Sequence, residues 1–105
     1  MVEIIWTEPA LEDVNEIAEY IALDNPTAAK ALVKDIFASA NRLKKFPKSG
    51  RKPPELDDFR YRELIVGPCR IFYRLYEKKL FILYAMRSER ALRNFLLEDR
   101  DGSGS

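Results

Sequence analysis

Three apolar segments separated by two short breaks fill the second half of this chain. Residues 60–66 (RYRELIV), 69–76 (CRIFYRLY) and 80–86 (LFILYAM) are rich in β-branched and aromatic residues. Gly67-Pro68 and Glu77-Lys78-Lys79 stand between them as turns, which is the pattern of an antiparallel meander. Alternation on 69–76 puts Arg70, Phe72, Arg74 and Tyr76 on one face and Cys69, Ile71, Tyr73 and Leu75 on the other. On 80–86 both sets are apolar, Leu80, Ile82, Tyr84 and Met86 against Phe81, Leu83 and Ala85. A strand apolar on both faces is normally covered on both. Two short helices can cover one face and a terminal helix part of the second, so a sheet face is expected to be left for another chain.

The first half supplies those helices. Val2 to Trp6 is a short apolar run suited to a strand, after which Thr7, Glu8 and Pro9 form a helix start, with a capping hydroxyl, an anion near the dipole and a proline in the first turn. Leu11, Val14, Ile17, Ala18 and Ile21 recur at helical spacing. Asn25-Pro26 ends this helix and starts a second, whose stripe is Ala29, Leu32, Val33, Ile36, Phe37, Ala40 and Leu43. A tight helical hairpin is therefore predicted, then an ordered loop over 47–58 marked by Pro47, Gly50, Pro53 and Pro54. Ser88 is placed to cap a short final helix carrying Arg90, Leu92, Arg93, Phe95 and Leu96. Trp6 and Tyr20 are read as packing residues of the core or hairpin. The fold class is α+β, one domain over residues 1–100, with 101–105 a disordered tail whose GSGS resembles a linker.

Composition removes whole classes of chemistry. The chain of 105 residues has no histidine and one cysteine, Cys69, so Ser-His-Asp, Cys-His and zinc-hydrolase sites are excluded, as are an internal disulfide and a cysteine cluster for metal. Cys69 reads as a small buried apolar residue. No metal or cofactor is expected. No apolar run approaches the roughly 20 residues of a membrane span, and the start of the chain lacks a signal peptide's pattern, so a cytoplasmic protein is expected.

The net charge of +1 conceals a segregation. Between Glu3 and Asp24 every charge is acidic, whereas Arg42, Lys44, Lys45, Lys48, Arg51 and Lys52 crowd one bend. Such a basic patch suits nucleic acid or an acidic partner segment, and equally a solvated helix end whose cations complement the dipole.

The wording of four segments, IIWTEPALEDVNEIAEYIALDNPTAA, LKKFPKSGR, YRELIVGPCRIFYRLY and the apolar strand ending in MRSER, resembles the RelE/ParE family of bacterial toxins from type II toxin-antitoxin modules. The resemblance runs from about Ile4 to Arg93. It implies a RelE/ParE-like fold with a short N-terminal strand, a helical hairpin, a three-stranded meander completing one sheet and a short C-terminal helix. It also implies neutralisation by a cognate antitoxin wrapping along the toxin, with operator DNA bound only through the antitoxin and no membrane partner. Members resembling ParE, associated with plasmid stabilization, poison DNA gyrase and block replication. Members resembling RelE are ribosome-dependent endonucleases that cut mRNA.

The helical hairpin and the REL…G…CRIFYRL pattern look closer to ParE, whose action by binding requires no catalytic residue. The alternative mRNA interferase would have to activate a 2′-hydroxyl, stabilise phosphorane-like charge and protonate a leaving oxygen. For that role Arg62, Arg70, Arg87 and Arg90 are the candidates, since guanidinium matches phosphate geometry. No histidine exists and no tyrosine follows Tyr84, so the usual proton donor has no counterpart. For target binding the candidates are Arg62, Arg87, Arg90 and Arg93. For antitoxin binding they are Arg70, Phe72, Arg74, Tyr76, Phe81 and Leu83, on the sheet face expected to be free.

Overall fold

The computed structural model describes residues 1–90, 92 and 94–101, with the backbone alone described at Asn94 and Phe95. Its elements are β1 (Glu3–Trp6), α1 (Glu8–Ala22), α2 (Pro26–Arg42), β2 (Tyr61–Val66), β3 (Cys69–Tyr76), β4 (Lys79–Arg87) and α3 (Asn94–Arg100). The four strands form one sheet in the order β1-β4-β3-β2, with β1 parallel to β4 and the other pairs antiparallel. This is the predicted α+β arrangement.

Local chemistry sets the helix boundaries as expected. The Thr7 hydroxyl accepts from Ala10 N at the head of α1 and donates to Ile82 O at 2.7 Å, which ties the helix start to β4. Asn25 caps α2 by accepting from Ala28 N at 3.1 Å. The hairpin lays Ala10, Val14 and Ile17 of α1 and Leu32, Ile36 and Ala40 of α2 on Ile71, Tyr73, Leu80, Ile82 and Ala85 of the sheet. Leu11, expected in this stripe, is 41% exposed. Tyr20 is also out of the core, whereas Trp6 packs as expected, against the core and on Phe37 of α2 with ring centroids 4.7 Å apart.

The two meander turns are tight. Val66 pairs with Cys69 across Gly67-Pro68, and Tyr76 pairs with Lys79 across Glu77-Lys78, so Lys79 belongs to β4 rather than to the turn. Gly67 and Glu77 both take positive φ, 54° and 56°. Glycine meets that requirement without strain, whereas a glutamate there meets its own carbonyl.

A β-bulge alters the face assignment on β4. Phe72 pairs with Tyr84 while Tyr73 pairs with Ile82, so Leu83 is an extra residue on the β4 side. The bulge moves Tyr84 and Met86 to the face of Phe81 and Leu83 and sends Ala85 to the helix side. Strict alternation had placed these three residues on the opposite faces.

The face expected to be free is covered by the chain itself. Leu56 from the 47–60 loop, with Leu92 and Leu97 from the C-terminal segment, packs on Tyr61, Phe72, Leu83 and Met86, and all seven are buried. Ser88 does not cap the final helix: its N–H donates to Pro68 O, and α3 begins at Asn94. Asp101, assigned to the tail, is buried and hydrogen-bonded to Tyr61, while residues 102–105 lie outside the described residues. No helix among the described residues is long and apolar enough to cross a membrane.

Candidate functional site

The second sheet face is organised by Arg70 on β3. Its Nε donates to Glu63 Oε1 at 2.7 Å, and its Nη1 and Nη2 each donate to Glu55 at 2.6 Å. Nη2 also reaches Glu63 Oε2 at 3.4 Å, and Nη1 donates to Arg90 O at 3.1 Å. Every nitrogen of the guanidinium is thus engaged inside the protein, and the residue is 5% exposed. Arg51 closes the other side of Glu63 at 2.9 Å. Such a bidentate, buried arrangement is the strong form of the interaction. The Arg70 hydrogen bonds hold the Glu55 carboxyl down at about 2 against the opposing effect of desolvation, and the pKa of Arg70 is raised by the same Glu55 contact.

Arg74 forms a second internal cluster. It pairs with Asp101, which also accepts from Tyr61 Oη at 3.1 Å. Burial, then the Asp101 bond, pushes the Tyr61 phenol up to about 12. At the far end of α3, Arg100 pairs with Asp13 of α1 and donates to Leu83 O at 3.2 Å while lying over the Tyr84 ring. Asp13 in turn accepts from Ala85 N at 3.0 Å, next to the bulge. These contacts fasten α3 across the sheet face from both sides.

The structure therefore separates the candidate residues. Of the six assigned to antitoxin binding, Arg70, Phe72, Arg74 and Leu83 are buried, while Tyr76 is 43% exposed and Phe81 is partly buried. Arg62 donates to Lys48 O at 3.1 Å and Gly50 O at 2.8 Å and so pins the loop before β2. It stands beside Tyr73, whereas Arg87 stands beside Cys69 four residues away along β3, roughly 13 Å. Arg62 is not part of the same cluster as Arg87 and Arg90. Arg93 lies outside the described residues.

Arg87 and Arg90 do come together, at the rim of a cavity of about 420 Å³ between α1 and the end of β4. Asp13, Glu16, Tyr20 and Tyr84 complete its wall. Arg87 lies over the Tyr20 ring at 4.8 Å and pairs with Glu89 at 2.7 Å, with 39% of its side chain exposed. Arg90 is exposed. This rim presents cations and an exposed aromatic ring, the residue types that anchor protein interfaces. Of its carboxylates, Asp13 is engaged by Arg100 and Ala85 N. No group of three or more His, Cys, Asp or Glu residues among the described residues could hold a metal ion. Burial pushes the Cys69 thiol up, away from the reactive thiolate.

Sequence reasoning missed Glu55, Glu63, Asp13 and Asp101 as the partners of these arginines. For Glu63 a signal existed. The two-residue turn sets Glu63 opposite Phe72 and Arg70 opposite Ile65, so the acid and base are diagonal neighbours on one face.

Residues 4–92 match the family described as the ParE toxin of the type II toxin-antitoxin system parDE, and the chain belongs to that family. A Caulobacter vibrioides protein named Toxin RelE2 is 34% identical over 68 residues, 65% of this chain and 73% of that protein. A Sinorhizobium fredii protein named Putative toxin Y4kP is 38% identical over 72 residues, 69% of this chain and 74% of its own length. Among solved structures, a chain of the chromosomal ParDE toxin-antitoxin system from P. aeruginosa superposes with a TM-score of 0.72 at 25% identity, covering 85% of this chain and 98% of that one. The protein is a type II toxin of the ParE/RelE family.

Proposed function

We infer that this toxin acts by binding DNA gyrase and blocking replication, and that a cognate antitoxin neutralises it in the bacterial cytoplasm. The observation that carries the reading is the saturation of Arg70. A nuclease needs a guanidinium free to follow charge as it develops on phosphorus. The arginine at the centre of the sheet face instead spends its donors on Glu55, Glu63 and Arg90 O. With no histidine in the chain, the remaining cations of the Arg87–Arg90 rim suit contact rather than proton transfer.

In this reading Arg87, Arg90 and Tyr20 touch gyrase. The accessible aromatic edge at Tyr76 and Phe81 belongs to the antitoxin contact, and the operator sequence is recognised only through the antitoxin. The P. aeruginosa relative comes from a toxin-antitoxin system, which supports an antitoxin partner here. The test is pulse labelling after induction of the toxin without antitoxin. DNA synthesis stops first, with filamentation and a DNA-damage response, while protein synthesis continues. Arrest of translation before DNA synthesis would transfer the assignment to the ribosome.

A further inference from the structure

Opposite the Arg87–Arg90 rim, the fold gathers lysines from three separate parts of the chain. Val2 N donates to Lys44 O at 3.3 Å, and the adjacent Glu3 N donates to Lys78 O at 2.8 Å. The end of α2 and the β3–β4 turn are thereby set on either side of the start of β1. Tyr73 Oη donates to Pro47 O at 2.8 Å and holds the following loop against β3, three residues from its end at Tyr76. Lys44, Lys45, Lys48, Lys78 and Lys79 are all exposed, and none forms an ion pair among the described residues. Glu3 and Glu77, in the same segments, are exposed carboxylates. Phe46, 64% exposed, lies among the lysines.

A helix dipole accounts for cations at the end of α2, but not for Lys78 in the β3–β4 turn or Lys79 at the start of β4. We propose that this lysine end binds the phosphate backbone of duplex DNA. Lysine is a flexible, hydrated point charge that meets phosphates without a shaped pocket, and a duplex presents a charge about every 1.7 Å of its axis. The inference rests on the gyrase reading for its biological setting, because gyrase holds DNA. The nine residues of β4 separate the lysine end from the arginine rim by roughly 27 Å, so one toxin can touch protein at one end and DNA at the other.

The experiment uses the full chain released from its antitoxin and a fluorescein-labelled duplex, read by anisotropy from 50 to 200 mM salt. Single-stranded RNA and phosphatidylserine vesicles serve as parallel probes. The comparison is a Lys44→Glu, Lys45→Glu, Lys78→Glu variant, whose melting curve and circular dichroism spectrum report its fold. Wild type is expected to bind the duplex with a log–log salt slope of about −4, and the variant to bind at least about ten-fold more weakly with a slope shallower by about 3. Absence of duplex binding at 50 mM salt, a folded variant that binds like wild type, or preference for the RNA or the vesicles would each overturn the proposal. Supercoiling by gyrase is measured separately. Lysine-dependent DNA binding with unaffected gyrase would leave this surface standing and remove the gyrase reading. Gyrase inhibition with DNA binding unchanged in the variant would do the reverse.

Discussion

Replacing Arg70 by methionine distinguishes a structural arginine from a phosphate-binding one. The substitution keeps much of the side-chain volume and deletes the charge between Glu55 and Glu63. Glu63 is 1% exposed and would keep only Arg51, whose side chain is 59% exposed. Removing one partner of a buried pair leaves an uncompensated charge and costs about 3–5 kcal/mol. The Glu55 pKa gives a separate handle. Its drop from 4.5 to about 2 marks a stabilising contribution, reduced by solvent because Glu55 is exposed. Because the folded-state pKa is the lower one, that contribution is present above pH 4.5 and is lost as the pH falls through about 2. Urea unfolding followed by Trp6 fluorescence at neutral pH and at steps down to pH 2 reads both effects. The expected result is a loss of about 3–5 kcal/mol at pH 7 and a flatter pH dependence below 5 in Arg70→Met than in wild type. A variant within about 1 kcal/mol of wild type at pH 7 would refute the reasoning, since it would mean that the pair contributes no more than an exposed one.

Other contacts give shorter tests. At Gly50 a Cβ would lie 2.5 Å from Tyr73 Oη and 2.7 Å from Glu63 O, so Gly50→Ala is expected to destabilise by about 1–3 kcal/mol, measured as a fall in urea midpoint. Leu97→Ala opens the α3 contact and is expected to cost about 2–5 kcal/mol, with amide exchange rising in Phe72 and Leu83. Glu77→Gly relieves a left-handed glutamate and is expected to raise stability by up to about 1 kcal/mol in the same unfolding assay. Arg87→Ala with Arg90→Ala is expected to abolish growth inhibition while leaving the unfolding midpoint near that of wild type, because both side chains are at the exposed rim.

The helical hairpin and the meander were legible because their signals are local: a capping Thr7, the Asn25-Pro26 break, and turn residues between alternating strands. The bulge at Leu83 was not, since an extra residue in an apolar strand leaves every residue apolar and changes only the direction in which it points. The covering of the second face was hidden for a different reason. Leu56, Leu92 and Leu97 are scattered through a proline-containing loop and a seven-residue helix, too short to display a periodic stripe. That miss also misdirected the site. Arg70 and Arg74 read as exposed recognition residues until Glu55, Glu63 and Asp101 were seen to meet them from distant parts of the chain. Arg87 ends the last strand and Arg90 follows it, and the fold leaves both at least partly exposed.

The central claim is that this toxin stops growth by holding gyrase rather than by cutting RNA. One preparation, tested side by side for inhibition of gyrase supercoiling and for cleavage of mRNA on primed ribosomes, examines it directly. The account predicts inhibited supercoiling with intact mRNA, the inhibition being reversed by the antitoxin and lost in the Arg87→Ala, Arg90→Ala variant. Codon-phased cleavage with fully active gyrase would contradict it.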